Sequence, residues 1–109
     1  MAKLVLTSAA RDDMRDIGDY IRDELQNPGA ALHMIQRFRK TIEPLRDYPE
    51  MGTILPNTLN LSTQYRYVIC GNYLIFYHTD DDTVYVDRVI YARRDYMALL
   101  FGDQLDDGE

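Results

Sequence analysis

The chain has 109 residues, one cysteine, nine tyrosines and a formal net charge of −6. That length supports a single domain with its own core, and a lone Cys70 permits no internal disulfide. No apolar run approaches a membrane span, no export signal precedes Arg11, and the lack of a basic excess weighs against a surface built mainly to grip nucleic acid, so a cytoplasmic chain without membrane association is expected.

Residues 3–7, Lys-Leu-Val-Leu-Thr, read as a first strand. Thr7 or Ser8 then supplies a short side-chain oxygen for the orphaned amides of a helix start. In that helix Ala10, Met14, Ile17, Ile21 and Leu25 recur at steps of four, three, four and four, while Arg11, Asp12, Asp13, Arg15, Asp16, Asp19, Arg22 and Asp23 fill the other faces. One buried stripe on an otherwise wet helix is predicted.

Asn27-Pro28 ends this helix and starts another, because Asn caps well and Pro is tolerated at the first helical position. Ala31, Ile35, Phe38, Ile42 and Leu45 form the second stripe, widened by Met34, and Pro44 distorts the last turn. Two such helices with a tight connection describe an antiparallel hairpin. Residues 47–63 carry two prolines and no period, and read as an ordered loop crossing to a sheet.

Tyr65 to Cys70, Tyr73 to Thr79 and Thr83 to Tyr91 read as three strands joined by Gly71-Asn72 and by the acidic tip Asp80-Asp81-Asp82. A two-residue Gly-Asn turn pairs Cys70 with Tyr73, Val68 with Ile75 and Arg66 with Tyr77 on one face. Tyr65, Tyr67, Ile69, Leu74, Phe76 and His78 line the other. Neither face is plainly polar, so the helices are expected on one side and a second cover on the other. A tyrosine-rich face of this kind suits a protein partner, which makes Tyr65, Tyr67 and Phe76 candidate partner-binding residues.

The last strand runs into Arg93-Arg94-Asp95-Tyr96, with Asp95 placed to cap a short final helix. Residues 103–109 hold Asp103, Asp106, Asp107 and Glu109 and no basic residue, which leaves residues 1–102 nearly neutral. They read as an acidic disordered tail on a domain spanning 1–102. The fold class expected from the whole pattern is α+β: an N-terminal strand, a two-helix hairpin on a mostly antiparallel curved sheet of about four strands, and a short C-terminal helix.

Four segments in this order and spacing carry a resemblance to the RelE/ParE superfamily of type II toxin–antitoxin toxins. They are Asp12 to Ile21, Asn27-Pro28 with Ala30-Ala31, Tyr48 to Gly52, and Asn72 to Tyr77 followed by Arg88 to Tyr96. The match looks closer to the ParE branch. It implies a toxin held by a cognate antitoxin in a hetero-oligomer, with DNA gyrase as target for ParE-like members and ribosome-bound mRNA as substrate for RelE-like ones. No cofactor is implied.

For RNA cleavage the resemblance assigns Arg66, Arg93, Arg94 and Tyr96 as the catalytic set, basic groups stabilising phosphate charge and a tyrosine near the attacking hydroxyl. That set is incomplete. Leu74 stands where RNA-cleaving relatives place an arginine, Val68 where a lysine is often found, and Tyr96 lies closer to the arginines than the RelE pattern puts its own tyrosine. For target poisoning the candidates are Arg88, Arg93 and Arg94; for antitoxin binding, Tyr65, Tyr67 and Phe76. Plain alternatives stand beside these: Arg93 and Arg94 as solvated charges, Arg66 as an edge ion pair, the tyrosines as sheet packing, and the whole chain as a toxin fold kept as a non-toxic binding module. His33 and His78 have no partners at metal-ligand spacing, so no metal site is expected.

Overall fold

The computed structural model describes residues 2–55 and 64–101. Strand β1 (Lys3–Leu6) leads into α1 (Ser8–Asp19), a π turn (Tyr20–Glu24) and α2 (Pro28–Ile42), which tightens into a 3-10 turn (Glu43–Arg46). Then follow β2 (Thr53–Ile54), β3 (Arg66–Cys70), β4 (Tyr73–Asp80), β5 (Thr83–Tyr91) and α3 (Tyr96–Phe101). The expected acidic tail, 103–109, lies outside the described residues, as does the second part of the 47–63 loop, residues 56–63.

The strands form one sheet in the order β1-β5-β4-β3-β2. All pairs are antiparallel except β1 with β5, which run parallel with Lys3 beside Thr83 and Leu6 beside Val86. The sheet thus has five strands rather than about four. The added strand, β2, is only two residues long, too short to show a period inside a proline-bearing loop. The β3–β4 register is the one the Gly71-Asn72 turn predicts, Cys70 on Tyr73 and Arg66 on Tyr77, with Gly71 at φ +60°. At the second hairpin Asp80 still pairs with Thr83, so Asp81-Asp82 makes the turn, Asp81 taking φ +55°.

Thr7 caps α1 by accepting from the Ala10 amide at 3.1 Å, and Asn27 caps α2 by accepting from Ala30 at 3.1 Å. The first helix departs from its predicted stripe at its end. Its last turn is π, closed by the Leu25 amide on the Tyr20 carbonyl five residues back, and that extra residue rotates Leu25 off the buried face. Leu25 is 57% exposed.

One core lies between the hairpin and the sheet: Ala10, Met14, Phe38, Ile42 and Leu45 meet Cys70, Ile75, Tyr77, Val84, Val86 and Val89. The opposite face has its own cover. Tyr96, Met97 and Leu100 of α3 pack with Leu55, Tyr65 and Tyr67 around buried Leu74, Phe76 and Ile90. Much of the second cover that the sequence calls for is therefore supplied by the chain itself.

Candidate functional site

Where β1 stops at Leu6, the next stretch of β5 has no strand on its outer side among the described residues. A side chain takes over. Asp13 of α1 accepts the Val89 amide at 2.9 Å and holds Arg88 through Nε at 2.7 Å and Nη2 at 3.0 Å. This hydrogen bonding raises the Arg88 guanidinium above its ordinary value. Asp13, read from the helix period as a wet-face residue, is in fact largely buried, and Arg88, a candidate target-binding cation, is committed to holding α1 against β5.

Arg66 is similarly engaged. Its Nη1 donates to the carbonyls of Glu50 at 3.1 Å and Gly52 at 2.9 Å, fixing the approach to β2. Gly52 is packed so closely that an added Cβ would stand 2.5 Å from the Tyr77 hydroxyl and 2.8 Å from the Tyr67 carbonyl. That hydroxyl in turn accepts from the Gly52 amide at 2.9 Å and donates to the Pro49 carbonyl at 2.8 Å. Burial pushes the Tyr77 phenol up, so it stays a neutral double anchor.

Arg93 and Arg94 lie at the other end of the strands, in the exposed turn after Tyr91, which pairs with Tyr73, itself opposite Cys70. Four residue steps along β3 lead from Arg66 to Cys70, about 13 Å of rise. Arg94 lines a groove of about 550 Å³ with Asp16, Ile17, Tyr20, Tyr73 and Tyr91. Burial first, then the neighbouring Tyr91 and Tyr20, pushes the Tyr73 phenol up, so it enters this groove as a neutral hydroxyl. Tyr96 leaves the same turn toward the other face, where its ring packs 5.4 Å from Phe76, and Asp95 caps α3 on Ala98 at 3.3 Å. Of the four residues assigned to RNA cleavage, only Arg93 and Arg94 therefore remain exposed side by side.

The candidate partner face is mixed. Phe76 is fully buried beneath α3, whereas Tyr65 and Tyr67 are half-buried at its margin. The sequence reading missed the cluster next to it. His78 Nδ1 lies 2.6 Å from Asp87 Oδ2, the imidazole stacks on Tyr85 at 5.1 Å, and the Tyr65 ring meets its edge at 5.3 Å. A β-bulge makes this pair: Tyr77 faces Val86 and Phe76 faces Arg88, leaving Asp87 as the extra residue turned toward His78. Burial raises the Asp87 carboxyl above its ordinary value, against the lowering pull of His78. Nothing in a 180° alternation announces a bulge.

Among the described residues no helix is long and apolar enough to cross a membrane. The family model of the ParE toxin of type II toxin–antitoxin systems, parDE, matches residues 4–96. Toxin RelE2 of Caulobacter vibrioides is 33% identical over 94 residues, covering 86% of this chain and 99% of that protein. A chain of the chromosomal ParDE toxin–antitoxin system from P. aeruginosa superposes with a TM-score of 0.71 at 19% identity, over 85% of this chain and 98% of its own, a likeness of fold.

Proposed function

Because the chain belongs to the ParE toxin family of type II toxin–antitoxin systems, we propose that it arrests growth by binding DNA gyrase through the corner bearing Arg93 and Arg94, and that a cognate antitoxin neutralises it in a hetero-oligomer. The observation that carries this reading is the dispersal of the groups RNA cleavage would need. Arg66 is occupied by the Glu50 and Gly52 carbonyls, Tyr96 packs on Phe76 on the far face, and apolar Leu74 stands at the central strand position. A phosphorane left without converging cations loses orders of magnitude in rate, whereas binding needs only an accessible patch. Arg93 and Arg94, beside the tyrosine-lined groove, form such a patch: two cations next to aromatic area, the composition typical of interface anchors.

The antitoxin reading rests on apolar surface that the chain leaves open on its helical hairpin. Tyr20 is 54%, Leu25 57% and Leu32 62% exposed, all near the junction of the two helices. A partner segment covering either this surface or the sheet margin at Tyr65 and Tyr67 is expected to bury on the order of 1,200 Å² or more.

Expression of the chain without antitoxin, with gyrase-dependent DNA breakage scored beside cleavage of ribosome-bound mRNA, tests the proposal. DNA breakage without mRNA cleavage is expected. Messenger cleavage that disappears in Arg66→Ala and Tyr96→Phe would overturn it in favour of an endoribonuclease, and growth unaffected by the free chain would leave a non-toxic binding module.

A further inference from the structure

The groove of about 550 Å³ beside the cationic corner has two walls that differ in charge. Its helical wall brings Asp16, Ile17 and Tyr20, and its sheet wall brings Tyr73 from the start of β4, Tyr91 from the end of β5 and Arg94 from the turn that follows. From Ser8 to Glu24 the helical wall carries six carboxylates against three arginines, whereas the turn offers Arg93 and Arg94. Four of those carboxylates are already matched: Asp12 by Arg15, Asp13 by Arg88, and Asp19 and Asp23 by Arg22. Asp16 is exposed and forms no ion pair among the described residues. It is the carboxylate that faces the groove.

Three phenol rings line the space between these charges. Tyr20 and Tyr91 are both exposed, so much of each ring meets solvent. Tyr73 is held by two neighbours, Phe38 at 5.5 Å and 84° and Tyr91 at 5.8 Å and 61°, which fixes ring directions before anything binds. The face of a phenol ring is negative, so ring faces beside an unmatched carboxylate attract a cation. Among protein side chains arginine suits this surface best. Its flat guanidinium stacks on rings, its stem lies along apolar surface, and its charge survives desolvation.

We propose that this groove takes an arginine side chain of a partner protein, stacked on Tyr20, Tyr73 and Tyr91 with Asp16 as its counter-ion, while a neighbouring acidic side chain of the same partner pairs with Arg93 or Arg94. That the partner is the toxin's target rests on the reading above, which puts the target at this corner. The two opposite charges fix the direction in which the partner lies, and the buried arginine anchors it. An aliphatic anchor would cover Asp16 without giving it a counter-ion, and a phosphate would meet the acidic helical wall.

The probe is the end-blocked pentapeptide Gly-Glu-Gly-Arg-Gly, titrated into the full chain while NMR follows the ring signals of Tyr20, Tyr73 and Tyr91. Its controls carry citrulline, the uncharged isostere, in place of the arginine, or glutamine in place of the glutamate. Expected are saturable shifts of the three rings at millimolar peptide and about two- to fivefold weaker binding of the citrulline peptide. Asp16→Asn should remove that difference between the arginine and citrulline peptides. Tyr91→Phe, which keeps the ring face, should preserve it, and Tyr91→Leu should reduce it. Arg93→Ala with Arg94→Ala should remove the difference between the glutamate and glutamine peptides. No ring shift, equal binding of the arginine and citrulline peptides, or a preference unchanged in Asp16→Asn would overturn the proposal. So would a free chain that is dimeric and becomes monomeric in Asp16→Arg, because the Arg94 of a second copy would then be the occupant. The titration contains no gyrase, so an absence of DNA breakage by the free chain would count against the gyrase reading alone. With breakage present, Asp16→Lys should reduce it at least tenfold at an unchanged melting temperature, and unaltered breakage would overturn the assignment of the arginine to the target.

Discussion

Asp13 closes the outer edge of β5 by gripping Arg88: Oδ2 takes the guanidinium at 2.7 Å and the adjacent Val89 amide at 2.9 Å, across 75 residues of sequence. A helix side chain thereby does what a longer first strand would have done, and it fixes α1 over the sheet.

Asp13→Ala should lower stability by about 2 kcal/mol, because it leaves a half-buried guanidinium and a backbone amide without this acceptor. Asp13→Asn should cost less, since an amide oxygen still accepts from Val89. In a domain of this size the alanine variant is expected to melt roughly 10 °C lower. Thermal unfolding checks both, and a loss within 0.5 kcal/mol for alanine, the range typical of exposed positions, would show the pair to be dispensable.

Gly52→Ala should destabilise the chain by about 2–4 kcal/mol, because the new methyl collides with the Tyr77 ring and hydroxyl and with the Tyr67 backbone. Tyr77→Phe removes the two hydrogen bonds without the collision and should cost about 1–3 kcal/mol. Urea unfolding of the two variants separates sterics from hydrogen bonding. The alanine variant should be the worse.

Arg93→Ala with Arg94→Ala should abolish growth inhibition while stability changes by no more than about 0.5 kcal/mol, since both side chains are exposed. Charge reversal should act at least as strongly. Arg88→Ala should also weaken the toxin, but through the fold, with a lower melting temperature as its signature. A folded double variant that remains fully toxic would remove this corner from the functional surface.

The Asp87 carboxyl has its pKa raised by burial in the folded chain, so the folded state binds that proton more tightly than the unfolded state does. Its contribution to stability is complete below the unfolded aspartate value and is lost as the pH climbs through the raised folded value. As the pH rises above the ordinary aspartate value, wild-type stability should therefore decline more steeply than that of Asp87→Asn. Urea titrations across this window measure the difference. An NMR midpoint for the Asp87 carboxyl at or below that of a free aspartate would contradict the assignment.

These outcomes divide along what a sequence can display. The hairpin register, both helix caps and the two stripes are written in local spacing, and Asn27, Thr7 and Gly71 act as their residue types dictate. Three features are not local. The π turn moves Leu25 outward by one inserted residue, the bulge at Asp87 turns a polar side chain onto His78, and the Asp13–Arg88 pair exists only because β1 stops short. The first two are one-residue irregularities, and the third joins residues 75 apart in sequence. The candidate cations show the same division. Their presence is legible, but whether a guanidinium is open, as at Arg93 and Arg94, or occupied, as at Arg66 and Arg88, depends on carbonyls and carboxylates brought from elsewhere.

The parallel pairing of β1 with β5 sets a condition on synthesis. Lys3 finds its neighbour only at Thr83, and the Thr7 hydroxyl donates to the Asp87 carbonyl across 80 residues. Strand β1 leaves the ribosome well before β5 and must wait for it, so the loop this pairing closes is long. A truncated nascent chain lacks β5, the central scaffold of the core, and with it the turn that carries Arg93 and Arg94. The chain thus has no partly made form with its cationic corner in place, and a partner already present at translation can meet the finished surface as it first assembles.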